Sequence, residues 1–247
     1  MIRKLSAAAL TGAIVLGAPA AAVAGTGAAG NPAAAARTPA AEPGARRDAG
    51  TVKARAHAAI ARRLETLARL AARVRDNEYL SDAHRTALSD LIAAQTRGLT
   101  ALDTKIQADT DLETLKADVK SIVTDYRVYL LTVPKVHLVI GADTELAAAA
   151  KLDEVAARLQ TKIDAVAAAG KDVTAAQSHL DAMKAKVGEV RAAASGVPDA
   201  VLALVPQDYP GNKPALEAAQ AALKTGRAAV QAARDLARQV VADLKAL

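Results

Sequence analysis

The chain has 247 residues, a net charge of +6, 52% hydrophobic and only 2% aromatic residues, and no Cys, Trp or Phe. Without cysteine there is no disulfide framework, thiolate metal site or Cys nucleophile. The scarcity of rings argues against base-stacking nucleic-acid surfaces, and alanine makes up about half of the hydrophobic class, so the mean hydropathy of +0.12 overstates the apolar area available for burial.

Arg3 and Lys4 precede an apolar run over 5–23, and Ala22 and Ala24 put small residues at the two positions a signal peptidase reads. The expectation is a secretory signal peptide over 1–24 and a secreted protein, loosely associated with the cell envelope. Gly17 and Pro19 make the run a poor membrane anchor, and no other stretch offers the ~18–20 apolar residues of a spanning helix. Removing 1–24 takes away two bases and no acid, leaving +4, and residues 51–78 alone carry seven bases and three acids. The remaining segments are near neutral, which argues for no nucleic-acid partner. Residues 25–50 hold five Gly, three Pro and no aliphatic larger than Ala; they read as a disordered tether, unable to bury enough surface to offset their ordering entropy.

From residue 51 onward apolar residues recur at alternating spacings of three and four, the seam of packed amphipathic helices. Ile60, Leu64, Leu67, Ala71 and Val74 mark a first helix. Leu88, Ile92, Gln95, Leu99, Leu102 and Ile106 mark a second, with Ser81 as its cap. Leu112, Leu115, Val119 and Ile122 follow, opened by a capping box of Thr110 and Glu113. Leu152, Val155, Leu159, Ile163 and Val166 lead to a stop at Gly170. Leu180, Met183, Val187 and Val190 form the next helix, opened by a box of Thr174 and Gln177. Leu216, Leu223, Val230 and Ala237, with neighbouring Ala219, Gly226, Ala233 and Val240, form the last, capped by Asn212 with Pro214 in its first turn.

An offset of 88 residues lays Leu64 on Leu152, Ile92 on Leu180 and Leu99 on Val187. The fold predicted is all-α: antiparallel helical bundles in two tandem three-helix units, 51–133 and 134–247, the second with an inserted loop at 196–213. Pro134 between them either kinks one long helix shared by both units, in a spectrin-like manner, or breaks it.

Neither the four histidines (57, 84, 137, 179) nor the acids Asp109, Asp111 and Glu113 fit a metal-ligand pattern, and no nucleophile elbow or phosphate-cradling glycine loop occurs. No catalytic residue, metal or cofactor is expected. Two segments break the alanine monotony. One is the all-round apolar stretch 126–140, offering Tyr126, Tyr129, Lys135 and His137 to a partner; the other is the proline-rich loop, offering Tyr209. The basic helix, with Arg62, Arg63, Arg69, Arg73 and Arg75, suits an anionic surface.

The run TDLETLKADVKSIVTDYRVYLLTVPKVHLVIGAD at 110–143, with LVPQDYPGNK at 204–213, resembles a group of uncharacterised exported helical proteins of high-GC Gram-positive bacteria. That resemblance implies an exported helical, coiled-coil-like chain and brings no activity with it. The function expected is a non-enzymatic helical spacer or interaction protein in or near the cell envelope, bound to an unidentified protein or envelope component, with homo-oligomers compatible with the seams. The alternative is an amphipathic-helix protein that binds lipid or a hydrophobic ligand, the one reading under which a membrane surface is a partner.

Overall fold

The computed structural model describes residues 43–247, and no strand occurs among them. Seven α-helices follow in order: α1 Pro43–Arg75, α2 Asp82–Ala108, α3 Leu112–Thr124, α4 Val133–Ala168, α5 Thr174–Ala194, α6 Val197–Leu202 and α7 Lys213–Ala246. One π-turn, Val128–Thr132, leads into α4, and a 3₁₀ turn, Pro206–Asp208, lies between α6 and α7.

The signal peptide over 1–24 and most of the tether lie outside the described residues. At the tether's end the structure corrects the reading: residues 43–50 are helical, not irregular. Proline opens a helix without loss, because its missing N–H would be unpaired there. About two turns later Ala49 and Val52 already pack against the core, so tertiary contact extends α1 back past residue 51.

Most seam positions are buried as the heptads require, although Ala71, Leu112 and Val155 are exposed. Ile60, Leu67 and Val74 of α1 are fully enclosed, as are Leu88, Leu99 and Ile106 of α2. These pair as antiparallel neighbours: His57 meets Asp103 near one end, and Arg85 reaches the Val74 carbonyl at the other. Leu180, Met183, Val187 and Val190 of α5 pack with α4 and α7. Gly141 of α4 lies against Leu223 of α7 and Glu145 against Gly226, so α4 and α7 run parallel. The α5 helix runs antiparallel to both, with Gln160 near Gln177 and His179 near Asp243.

Two hydrophobic clusters form. The first joins α1, α2, α3 and the π-turn to the start of α4, and also takes in Ala194, Val201 of α6 and Leu216 to Leu223 of α7. The second comprises the rest of α4, α5 and α7. Their border crosses α4 between Ala142 and Ala149 and α7 between Leu223 and Ala229, not at Pro134.

Pro134 neither kinks nor breaks a continuous helix, because it occupies the first turn of α4. The interruption comes earlier. α3 stops at Thr124, and Arg127 adopts a left-handed conformation with φ of 44°. Its guanidinium holds that turn in place, Nε donating to the Pro206 carbonyl at 2.8 Å while the plane stacks 4.4 Å from the Tyr209 ring.

Local punctuation is partly as expected. The Ser81 hydroxyl accepts from the His84 N–H, and Gly170, at φ of 79°, ends α4. Asp111, not Thr110, caps α3, its carboxylate accepting from both the N–H and the hydroxyl of Thr114. Asp172 accepts from the Thr174 N–H in place of a Thr174–Gln177 box. Asn212 precedes α7 but turns its amide away, donating to the Val205 carbonyl.

Candidate interaction site

The residues that sequence patterning singled out do not gather on one open surface. Tyr126 is half-buried with its ring seated on Gly98 of α2, where a Cβ would lie 2.5 Å from Cε1. Burial pushes its phenol above the ordinary tyrosine value. Lys135 is buried, and its ammonium donates to the carbonyls of Leu202 and Leu204, tying α4 to the end of α6. That burial lowers its pKa. Tyr209 lies between the cations of Arg127 and Lys213. His137 faces Arg73 at 3.4 Å, and desolvation together with that positive neighbour holds it below the ordinary imidazole value. Tyr129 alone of this set presents a large exposed apolar face, beside exposed Leu130, with the Arg63 guanidinium 5.2 Å from its ring.

The basic helix is similarly engaged. Arg69 pairs with Glu65, Arg75 with Asp76, and Arg63 donates to the Ala59 carbonyl. Only Arg62 of the five has no side-chain partner among the described residues. Surface pairs of this kind contribute little to stability, but they reduce the field available to an anionic surface.

An open apolar groove lies elsewhere, between the parallel helices α4 and α7. It comprises two adjoining hollows of about 560 and 470 Å³ that share Val155, Ala237 and Arg238. Its floor is Ala147, Ala148, Leu152 and Val155 from α4 with Ala237 and Val241 from α7. Val155 and Val241 are 37% and 39% exposed, although the heptad places Val155 in a seam. The reason is architectural: α1, α2 and α3 cover the first cluster, whereas α5 packs on α4 and α7 from one side and, among the described residues, no further helix covers the other. Lys151, Arg234, Arg238 and Lys245 rim the groove, and Tyr79 closes one end with the Lys151 ammonium 5.8 Å from its ring. Asp235 pairs with Arg238; Lys151, Arg234 and Lys245 have no acidic partner among the described residues.

A second feature that periodicity did not flag is Glu145. It is only 5% exposed, at the border of the two clusters. It occupies the space left by Gly226, where a Cβ would come within 2.0 Å of Oε2. That oxygen has no hydrogen-bond partner, and Arg227 Nε stands 3.9 Å from the other. Desolvation, offset in part by Arg227, pushes the carboxyl up to about 7. The sequence signal was a glycine in an alanine column of α7 and an acid in the apolar stretch of α4.

Among the described residues no three His, Cys, Asp or Glu side chains come together as a metal-holding cluster, and no helix is long and apolar enough to cross a membrane. No protein family, curated protein or solved structure matches this chain.

Proposed function

We propose that this chain is an exported, non-enzymatic helical protein that works by binding a partner in or near the cell envelope, its helices serving as spacer and docking surface. The observation that carries this reading is the cation-rimmed groove between α4 and α7, an apolar surface that no helix among the described residues covers. Exposed contiguous apolar patches rimmed by polar groups mark interaction sites. Helices of 33, 36 and 34 residues support the spacer role, since at 1.5 Å per residue each spans about 50 Å. The two apolar clusters support a division into two tandem helical units that share α4 and α7. The basic, apolar and small-residue sequence over 1–24 supports export.

The test mixes the purified chain with separated wall material, membrane vesicles and released surface proteins, and measures co-sedimentation at two salt concentrations. Retention on wall or protein fractions is the expected result. Retention on vesicles alone, lost in salt, would replace this reading with binding to anionic lipid. Retention on none of them would sink the envelope assignment.

A further inference from the structure

We infer that the α4–α7 groove docks an amphipathic helix of a partner protein bearing acidic residues along its flanks. This rests on the interaction-module reading and names the chemistry of the partner.

The groove's dimensions suit a helix. Its lining runs over residues 144–159 on α4 and reaches residue 245 on α7 from residue 234. At 1.5 Å per residue these are lengths of about 17 to 24 Å, three to four turns of a docked partner. Ala147, Ala148, Ala237 and Ala242 allow close approach of a helix backbone, and Leu152, Val155 and Val241 supply the apolar contact. Such a partner adds a fourth helix to a three-helix cluster, the helix-in-groove mode of recognition.

The rim sets the partner's charge. Arg234, Arg238 and Lys245 lie four and seven residues apart along α7, and Lys151 stands opposite on α4. The single acid paired within this rim is Asp235, held by Arg238. Three cations are left for carboxylates at matching spacings on a partner helix, which would give register and association rate as well as affinity. A second copy presenting the same face would set these cations against their own equivalents, so isologous self-pairing is disfavoured. A lipid surface is the weaker occupant, because the groove is recessed between two helices and the chain has no Trp or Phe to insert.

The test uses the full chain and three probes. Two are dye-labelled 21-residue peptides with one Ala/Leu heptad seam, flanked by Glu in the first and Lys in the second. The third is a set of phosphatidylglycerol vesicles. Each is titrated against the native chain, a groove variant, Lys151→Glu/Arg234→Glu/Lys245→Glu, and a control of equal charge, Arg62→Glu/Lys120→Glu/Lys224→Glu, with helicity checked by circular dichroism. All six positions are exposed, so both variants should keep the fold. The expected result is binding of the Glu peptide, weakened at least about tenfold in the groove variant and less than about threefold in the control, with the Lys peptide preferring the groove variant. No binding of the Glu peptide, equal binding to native chain and groove variant, or groove-dependent binding of vesicles alone would overturn the inference. The groove variant also enters the envelope-fraction assay. Equal retention of native chain and variant there overturns the docking assignment while leaving the envelope reading intact. Loss of both overturns the envelope reading, and the peptide arm still decides the groove.

Discussion

Replacing Glu145 by Gln should make this protein more stable at neutral and alkaline pH and less stable in acid, by about 1 to 2 kcal/mol in each direction. In the native fold the carboxyl is buried in the slot beside Gly226 of α7, with one oxygen unpartnered. The only facing charge among the described residues is Arg227, whose side chain is mostly exposed and, at 3.9 Å, too distant for a hydrogen bond. Moving a carboxyl from 4.5 in the unfolded chain to about 7 in the fold corresponds to about 3 kcal/mol, at 1.36 kcal/mol per pH unit. The acid's pKa is raised, so between 4.5 and about 7 the folded state binds more protons than the unfolded chain. Stability therefore falls as pH rises through that window, and the full penalty persists above it.

Glutamine keeps the shape of protonated glutamate and cannot ionise, so it removes the pH-dependent part. It leaves amide groups without partners in the same slot, which costs about 1 to 2 kcal/mol and leaves a net gain of about 1 to 2 kcal/mol at pH 8. The assay is urea unfolding followed by circular dichroism at 222 nm, for native chain and variant, in steps from pH 4 to 8.5. The difference between the two isolates position 145 from the other titrating groups. A difference that stays constant with pH, or one that favours the native chain as pH rises, would refute the assignment of a strained buried carboxylate.

Three other substitutions probe the same packing. In a double-mutant cycle, Gly226→Ala should gain up to about 1 kcal/mol from helix propensity when Glu145 is also alanine, and at least about 1 kcal/mol less when Glu145 is present, because the new methyl meets its carboxylate; additive effects by urea midpoint would show the two do not touch. Lys135→Met should free the carbonyls of Leu202 and Leu204 and speed amide exchange over 197–205 about tenfold, without a comparable change in α5, as read by hydrogen-exchange mass spectrometry. Asp143→Ala removes the acceptor of both the Ser81 N–H and His84 Nδ1 at 2.8 Å each, and should cost about 1 to 3 kcal/mol in urea unfolding.

The helices were legible in the sequence because a three-four alternation encodes a buried stripe, and the stripe of α5 throughout and most of those of α1 and α2 are buried where the heptads place them. What periodicity does not encode is whether a given stripe is covered. Val155 and Ala237 have the same seam spacing as Leu152 and Ala233, yet they line an open groove, because coverage depends on the number of helices sharing each cluster. Boundaries were read less well for a local reason. Thr110 and Asp111 are both competent caps, and a one-residue shift decides between them. Pro134 reads as a kink or a break, but its ring fits an opening turn, while the left-handed turn at Arg127 depends on Pro206 and Tyr209, about 80 residues away. Tyr126, Lys135 and Tyr209 stood out as polar or aromatic groups in unusual settings. Their partners are the chain's own Gly98, the end of α6 and Arg127, which no spacing within their own segment reveals.

An alanine-rich seam leaves a problem that the polar residues address. Small side chains permit close helix approach but interlock poorly, so sliding by a turn changes the buried area little. All four histidines bridge helices: His57 to Asp103 joins α1 to α2, His84 to Asp143 joins α2 to α4, His137 to Arg73 joins α4 to α1, and His179 to Asp243 joins α5 to α7. The most exposed of these contribute little to stability, and they cannot form in a register shifted by one turn. Glu145 in the Gly226 slot acts in the same sense, because a shift of α7 by one residue in either direction would put the side chain of Thr225 or Arg227 into space that the carboxyl already fills. Register in this protein is thus held by polar contacts at a few points along otherwise uniform helices, and Lys151 of α4 keeps its place opposite Arg234 of α7 because of it.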